Sequence, residues 1–411
     1  MSSKTHEEEP FLGKLTNNDD PSSRNVKIAF DNLASQSTSY NISNLKSKIL
    51  YKYRSSKLLR YATIISLILI LYILFSSNFL TSITSKPVPK LEFNLLNLIS
   101  VGIALSHDAG LKIIEIKKEH KESTKVKGKT KEGVDEPVTV ADRESNNILV
   151  NGFKTMFEYQ ITRDNPEGKV KNPINIISEE TNPKPQKIIP NNLNNIDMST
   201  MGMDEINYLN QVLNPNDITI IIDPLDATKE FTEETDKDGT DMLPYVTTLV
   251  CFVKDNTPIA GIINRPFVKN EPIMWSVVAT NSIHGVVPKK AEGNNAKYIT
   301  VSRSHTGDAK DIVKEYLGPH ESLPAGGAGY KSYLVLTGQA DAYIHVTAIK
   351  VWDLCAGHAL IKAAGGDITD KSGNELLYKN GKENYKFKNG LIASLDNNDI
   401  KNIANKLKDV Q

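Results

Sequence analysis

Acidic residues stand beside strand-like runs at three places in this 411-residue chain, and acids so placed can hold a cation against a phosphate. The most informative stretch is Ile220-Ile-Ile-Asp-Pro-Leu-Asp-Ala-Thr228. A β-branched strand is expected to end at Asp223, with Pro224 forcing a turn and Asp226 placed to cap a helix starting near Ala227. Two carboxylates three residues apart across a turn can converge on one point, which is costly unless cations sit there. Hard divalent cations such as Mg²⁺ take such oxygen ligands. The free N–H groups of the new helix would face the same point and could hold a phosphate. Taken alone, a D-x-x-D turn also reads as a capped loop. Ser178-Glu179-Glu180-Thr181 sets acids directly after the run Ile174–Ile177, where a surface pair is the alternative. Val351-Trp-Asp-Leu-Cys-Ala-Gly357 sets Asp353 at the start of a small-residue helix, where an N-cap is the alternative. Acids in three separate strand-end positions are harder to account for by capping.

The elements that must position these residues follow from periodicity. Leu95, Leu98, Ile99, Gly102 and Leu105 make one stripe of a helix over 91–118. Seven lysines with interspersed glutamates follow, from Lys117 to Glu132, and read as a solvated loop or a mobile lid that attracts an anionic substrate. Asn175–Ser178 and Ile218–Ile222 read as short buried strands. Tyr245–Val253 and Pro258–Ile263 read as two more, joined by the turn Asp255-Asn-Thr-Pro258. Residues 181–217 are rich in Asn and Pro and read as an insertion with little regular structure. Beyond them, Tyr298–Ser302, Thr306–Leu317, Tyr330–Thr337, Ala342–Val346 and Asp353–Ala364 alternate strand and helix, which argues for an α/β layer.

The composition narrows the class. Lys plus Arg and Asp plus Glu are 49 each, so the formal net charge is zero, which argues against a nucleic-acid partner. The mean hydropathy of −0.34 excludes a polytopic membrane protein. A single span is expected instead. Residues 61–85 carry no charge, long enough for about 30 Å of hydrocarbon. Lys46, Lys48, Lys52, Arg54, Lys57 and Arg60 precede them without an acid. The positive-inside rule then gives an uncleaved signal-anchor with a cytosolic N-terminus. Residues 1–60 read as a disordered cytosolic tail. Cys251 and Cys355 lie in apolar contexts and read as buried free thiols; two cysteines make no disulfide framework or Cys-rich zinc module.

D-P-L-D-A-T, the S-E-E after a strand, W-D-L-C-A-G and the upstream Pro137-Val-Thr-Val-Ala-Asp142 resemble the signature of the magnesium-dependent, lithium-sensitive phosphatase family of inositol monophosphatase. The resemblance covers about 91–396 and is closest to the branch that acts on adenosine 3',5'-bisphosphate in the Golgi. Asp226-Ala-Thr-Lys-Glu-Phe-Thr232, Val301-Ser-Arg-Ser-His305, Ala325-Gly-Gly-Ala-Gly-Tyr-Lys331 and Tyr343-Ile-His-Val-Thr347 carry that likeness. Two departures, inserted polar sequence between Asp142 and Asp223 and a long N-terminal tail, touch no motif.

The resemblance implies a layered αβαβα sandwich, in the α+β to α/β class, behind one transmembrane helix. It implies a metal-binding α+β domain over 91–290 and an α/β domain over 291–411. It assigns Glu179, Asp223, Asp226 and Asp353, with the Leu225 carbonyl, to two or three Mg²⁺ ions that would clamp the phosphate, activate a water and stabilise the leaving oxygen. Thr228 and Asp142 map onto the pair that orients and deprotonates that water. Ser302, His305, the backbone at Ala328 and Gly329, and the Lys331 ammonium map onto substrate contacts. The implied activity is removal of the 3'-phosphate of adenosine 3',5'-bisphosphate, a 3'(2'),5'-bisphosphate nucleotidase serving sulfation in the secretory-pathway lumen. The implied protein is a type II Golgi membrane protein, compatible with a homodimer. Competing readings are an inositol polyphosphate 1-phosphatase or inositol monophosphatase, a sugar bisphosphatase, and an inactive lumenal scaffold of the same fold.

Overall fold

The computed structural model describes residues 61, 64–67, 91–119, 125–129, 135–158, 174–181, 183–193, 196–290, 298–303 and 309–407. The chain divides into two units, Met1–Pro87 and Val88–Gln411. In the first, only Tyr61 and residues 64–67 are described, and they are helical. The expected cytosolic tail over 1–60 and most of the expected span over 61–85 lie outside the described residues. Among the described residues no helix is long and apolar enough to cross a membrane.

The second unit opens with α1 (Leu95–Lys118), whose N-cap Asn94 accepts the Asn97 N–H. The stripe read from the sequence is buried along it. The Lys-rich segment differs from the loop expected of it. β1 (Lys125–Lys129) and β2 (Asp135–Val138) pair antiparallel as a hairpin. α2 (Val140–Phe153) follows, then β3 (Asn175–Ser178). The expected irregular insertion contains α3 (Met203–Leu209), whose Leu209 is fully buried. Then come β4 (Ile218–Asp226), α4 (Thr228–Glu233), β5 (Thr247–Lys254), β6 (Thr257–Asn264), β7 (Met274–Val277) and β8 (Ser282–His284). The β5–β6 turn is tighter than expected: Asp255 and Asn256 alone form it, both at positive φ, as a two-residue hairpin requires. The remaining elements are β9 (Tyr298–Ser302), α5 (Ala309–Tyr316), β10 (Glu321–Ala325), α6 (Ala328–Leu336), β11 (Ala342–His345), β12 (Ile349–Lys350), α7 (Val351–Ala363), β13 (Asp367–Thr369), β14 (Lys386–Phe387), β15 (Leu391–Ser394) and α8 (Asn397–Leu407).

One mixed sheet runs β3-β4-β5-β6-β7-β8 and a second runs β10-β9-β11-β15-β13. Strand alternation sorts the first sheet's side chains to two helical layers. Ile220, Ile222, Val250, Phe252 and Ile262 pack on α1 and α2 through Leu98, Leu105, Leu149 and Phe153. Ile221, Leu249, Cys251 and Ile263 point the other way, onto α6 and α7 through Leu334, Cys355 and Leu360. The same two helices cover the second sheet at Tyr343, Leu391 and Ala393. That sheet's far face packs on α5 and α8 through Ile299, Ile344 and Ile392 against Ile312 and Ile403. The order is therefore helix–sheet–helix–sheet–helix, with α6 and α7 sandwiched in the middle.

Candidate active site

The acids stand where β3 and β4 end. The parallel register sets Ser178 opposite Ile222, and the Glu179 N–H donates to the Ile222 carbonyl at 3.1 Å, level with Asp223. The turn expected at Pro224 is instead a bulge. β4 continues to Asp226, with Asp223 opposite Leu249 and Asp226 opposite Thr247. Two residues, Pro224 and Leu225, thus face the single Thr248. In a regular strand, residues three apart point to opposite faces; one extra residue restores them to the same face. Proline favours such a place because it has no N–H to give the ladder. The bulge is fixed by the Ser145 hydroxyl donating to the Pro224 carbonyl at 2.6 Å and the Leu225 N–H donating to Asp223 Oδ1 at 3.1 Å.

Asp226 does not cap the helix that follows it. α4 starts behind Ala227, which sits at φ 71° without any side-chain cap. The carboxylate reaches α6 instead, 103 residues away: Oδ1 accepts the Ala328 N–H at 3.1 Å, and Oδ2 accepts the Gly329 N–H at 2.8 Å and the Thr247 hydroxyl at 2.9 Å. The glycine turn exists for this approach. Gly327 has φ +65°, and a Cβ on it would lie 2.8 Å from Asp226 Oδ2; one on Gly329 would lie 2.4 Å from Thr247 Oγ1. The amides at Ala328 and Gly329, expected at the substrate, thus donate to Asp226.

Asp142 lies in the first turn of α2. Thr139 caps α2, and Asp142 closes the capping box by accepting the Thr139 N–H and hydroxyl on Oδ2. Its other oxygen, Oδ1, accepts the Thr228 hydroxyl at 2.9 Å. Thr228 Oγ1 also lies 3.2 Å from the Leu225 carbonyl. Two residues 86 apart in sequence are thereby joined beside the bulge.

Asp353 lies in the first turn of α7, where Oδ2 accepts the Lys350 N–H at 3.1 Å. Burial pushes its carboxyl up to about 8, and the negative charges of Glu179 and Asp226 push the same way. Acids from β3, β4 and α7 therefore repel across one space, and a hard cation would relieve that repulsion. The oxygen donors fit Mg²⁺ in kind. As their side chains stand, Asp226 faces α6 and Asp353 its own helix end, and among the described residues no three His, Cys, Asp or Glu are grouped to hold an ion.

On the opposite wall, Ser302 ends β9 and is buried, and His305 lies outside the described residues. Lys331 is not offered to solvent. It is 3% exposed, and its Nζ donates to the Gly327 carbonyl at 2.5 Å and to the Ala325 carbonyl at 3.5 Å. Burial pulls its ammonium below the usual value, against the attraction of Asp226, Glu230 and Asp353. Sequence reasoning passed over Arg303, whose guanidinium donates to Glu230 at 3.1 Å and Glu233 at 2.8 Å and so ties α4 to the end of β9.

The reading of the cysteines as free thiols is overturned. Cys251 and Cys355 form a disulfide between β5 and α7, with Cα atoms 5.7 Å apart. Strand parity aims Cys251 at the helix that carries Cys355, a relation invisible at a sequence separation of 104.

The profile of the inositol monophosphatase family matches residues 94–405. An inositol monophosphatase 3 from Danio rerio is 34% identical over 317 residues, 74% of this chain and 82% of its own. A Golgi-resident adenosine 3',5'-bisphosphate 3'-phosphatase from Callithrix jacchus is 33% identical over 319 residues, 74% of this chain and 78% of its own. A crystal structure of the extragenic suppressor protein suhB from Bartonella henselae shares the fold, with a TM-score of 0.52 at 17% identity over 76% of this chain and 99% of that one.

Proposed function

The chain belongs to the inositol monophosphatase family, a family of metal-dependent phosphatases, and we propose that it hydrolyses the 3'-phosphate of adenosine 3',5'-bisphosphate to AMP with Mg²⁺. The observation that carries a hydrolytic reading is the Thr228–Asp142 hydrogen bond, set beside the acid-bearing bulge of β4.

Glu179, Asp223, Asp226 and Asp353, with the Leu225 carbonyl, would hold the metal. When bound, Mg²⁺ supplies charge neutralisation at the phosphate and a lower pKa for the attacking water. The chain's own residues do the rest. Thr228 donates its only proton to Asp142 Oδ1, so its oxygen lone pairs are left to accept a hydrogen bond from the water and orient it. Asp142 is fixed on its other oxygen by Thr139, so the acceptor does not turn away. The proton leaving the water passes to the Thr228 oxygen as the Thr228 proton moves to Asp142. Lys331 holds the glycine turn closed, which keeps Asp226 against the α6 amides.

The nucleotide is favoured by the relatives named for it and by the Val301–His305 and Ala325–Lys331 segments. An inositol phosphate is the second reading, favoured by relatives of 33% and 34% identity named inositol monophosphatase 3. Phosphate release by the full-length chain from adenosine 3',5'-bisphosphate, inositol monophosphate and inositol polyphosphate decides between them. The highest kcat/KM is expected for the nucleotide; a higher value for either inositol phosphate would replace the first reading with the second.

Anchoring by residues 61–85 with the catalytic part in the Golgi lumen belongs to the same proposal. The uncharged run behind six basic residues supports it, as does a disulfide, which persists in oxidising compartments. Protease added to intact microsomes should trim the N-terminal tail alone; digestion of residues 91–407 would refute this orientation.

A further inference from the structure

α7 must hold Asp353 at a fixed distance from Asp223 and Asp226, which stand on β4. Asp353 is the acid that α7 contributes, from its first turn.

The structure fastens the helix next to that turn. Cys355, two residues past Asp353, is bonded to Cys251 on β5. Cys251 stands opposite Ile221, two residues before Asp223, on one side and opposite Gly261 on the other. The covalent link therefore joins the acid-bearing helix to the strand that pairs with acid-bearing β4. Gly261 lets the helix come that close: a Cβ there would fall 2.5 Å from the Ala356 carbonyl oxygen and 2.8 Å from Ala359 Cβ. Both cysteines are buried, at 1% and 0% exposure, within the core shared by β5 and α7. Apolar packing resists separation without direction, whereas a covalent bond fixes one distance.

We propose that the Cys251–Cys355 disulfide is a positioning element of the metal site, holding the first turn of α7 against β5 so that Asp353 keeps its place facing the acids of β3 and β4, whose side chains can then turn onto an ion. The proposal rests on the assignment of those acids to a metal. It ties the affinity for Mg²⁺ to the redox state of the compartment: the site binds its ion tightly where the disulfide is formed and loosely where it is not.

The test uses the full-length chain purified without reductant. Alkylation under denaturing conditions should label neither cysteine before reduction and both after it. Thermal unfolding is then followed across a Mg²⁺ titration for the wild type, for the double variant Cys251→Ala/Cys355→Ala, and for Val253→Ala. Val253 is buried on the same strand and in the same core, two residues past Cys251. The double variant should need about tenfold more Mg²⁺ for half-maximal stabilisation, the size of effect seen when groups orienting metal ligands are removed. Val253→Ala should lower the metal-free Tm and leave the Mg²⁺ midpoint unchanged. If the double-alanine chain does not fold, Cys251→Val with Cys355→Ala restores the lost volume and is read the same way. Cysteines that react before reduction would overturn the proposal, as would an unchanged Mg²⁺ midpoint in the double variant or an equal shift in Val253→Ala. A wild type that Mg²⁺ fails to stabilise would refute the metal assignment itself, and the proposal would fall with it.

Discussion

β4 is buried along all nine residues and hydrogen-bonded on both sides, to β3 and to β5, whereas the wall facing it is a glycine turn joining the five-residue β10 to α6. The acid wall takes its geometry from sheet register and one bulge. The opposite wall takes its geometry from the absence of side chains at Gly327 and Gly329, and from Asp226 reaching across to the turn. The contrast separates what must be rigid from what can be adapted. Like charges crowded together need a stiff support, whereas the turn is shaped by one carboxylate and the glycines that admit it.

Breaking the acid wall should have the largest effect. Asp223→Asn or Asp353→Asn should lower kcat/KM about a thousandfold or more, because several kcal/mol of metal-borne transition-state stabilisation is lost. Stability without metal should hold or rise, since Asp223→Asn removes a charge from the crowded acids and Asp353→Asn replaces a carboxyl that burial already favours in its neutral form. The Asp353 carboxyl, raised to about 8 from an ordinary 3.8, also sets a pH dependence. The metal-free native state holds that proton more tightly than the unfolded chain does. Its stabilising share is therefore full below about pH 4 and lost as pH rises through about 8. Thermal unfolding of the metal-free protein across that window should show the decline, and Asp353→Asn should flatten it.

The pair that bridges the bulge to α2 comes next. Thr228→Val should lower kcat about a hundred- to ten-thousandfold with little change in KM, the range expected for loss of a proton-transfer group. Steady-state kinetics at saturating Mg²⁺ would check it, and an unchanged kcat would leave the Thr228–Asp142 bond as a cap alone.

The turn should respond mainly in stability. Gly327→Ala forces a Cβ into a left-handed position 2.8 Å from Asp226 Oδ2 and should cost about 1–3 kcal/mol in chemical denaturation. Lys331→Met leaves the Gly327 and Ala325 carbonyls without their buried donor, at about 1–3 kcal/mol. The resemblance to the family places the Lys331 ammonium at the substrate. Its burial predicts otherwise: activity on nucleotide and inositol phosphates should fall by the same factor. A loss confined to the bisphosphate would return Lys331 to the substrate.

What the sequence revealed and what it hid divide along the same line. The strand before Asp223 was legible because Ile218–Ile222 is a β-branched run, and the helix over 95–118 because its stripe repeats at helical spacing. The carboxylates stood out by residue type and position. The bulge was not legible, since a proline after a strand reads equally well as a turn. Asp226 reaching Gly329, Thr228 meeting Asp142, and Cys251 meeting Cys355 are contacts across 103, 86 and 104 residues, and no local pattern signals such pairings. Lys331 reads as part of a phosphate cradle because it follows glycines; its burial and its bonds to backbone carbonyls carry no local signal. Resemblance to the family put Thr228 and Asp142 together, and a 2.9 Å hydrogen bond joins them.

The most direct test is release of phosphate from adenosine 3',5'-bisphosphate by the full-length chain, with Mg²⁺ and then with the metal chelated, alongside Asp223→Asn. The account predicts AMP and one equivalent of phosphate with Mg²⁺, none after chelation, and release slower by about a thousandfold or more from the variant. Release that persists after chelation, or that Asp223→Asn matches, would contradict it.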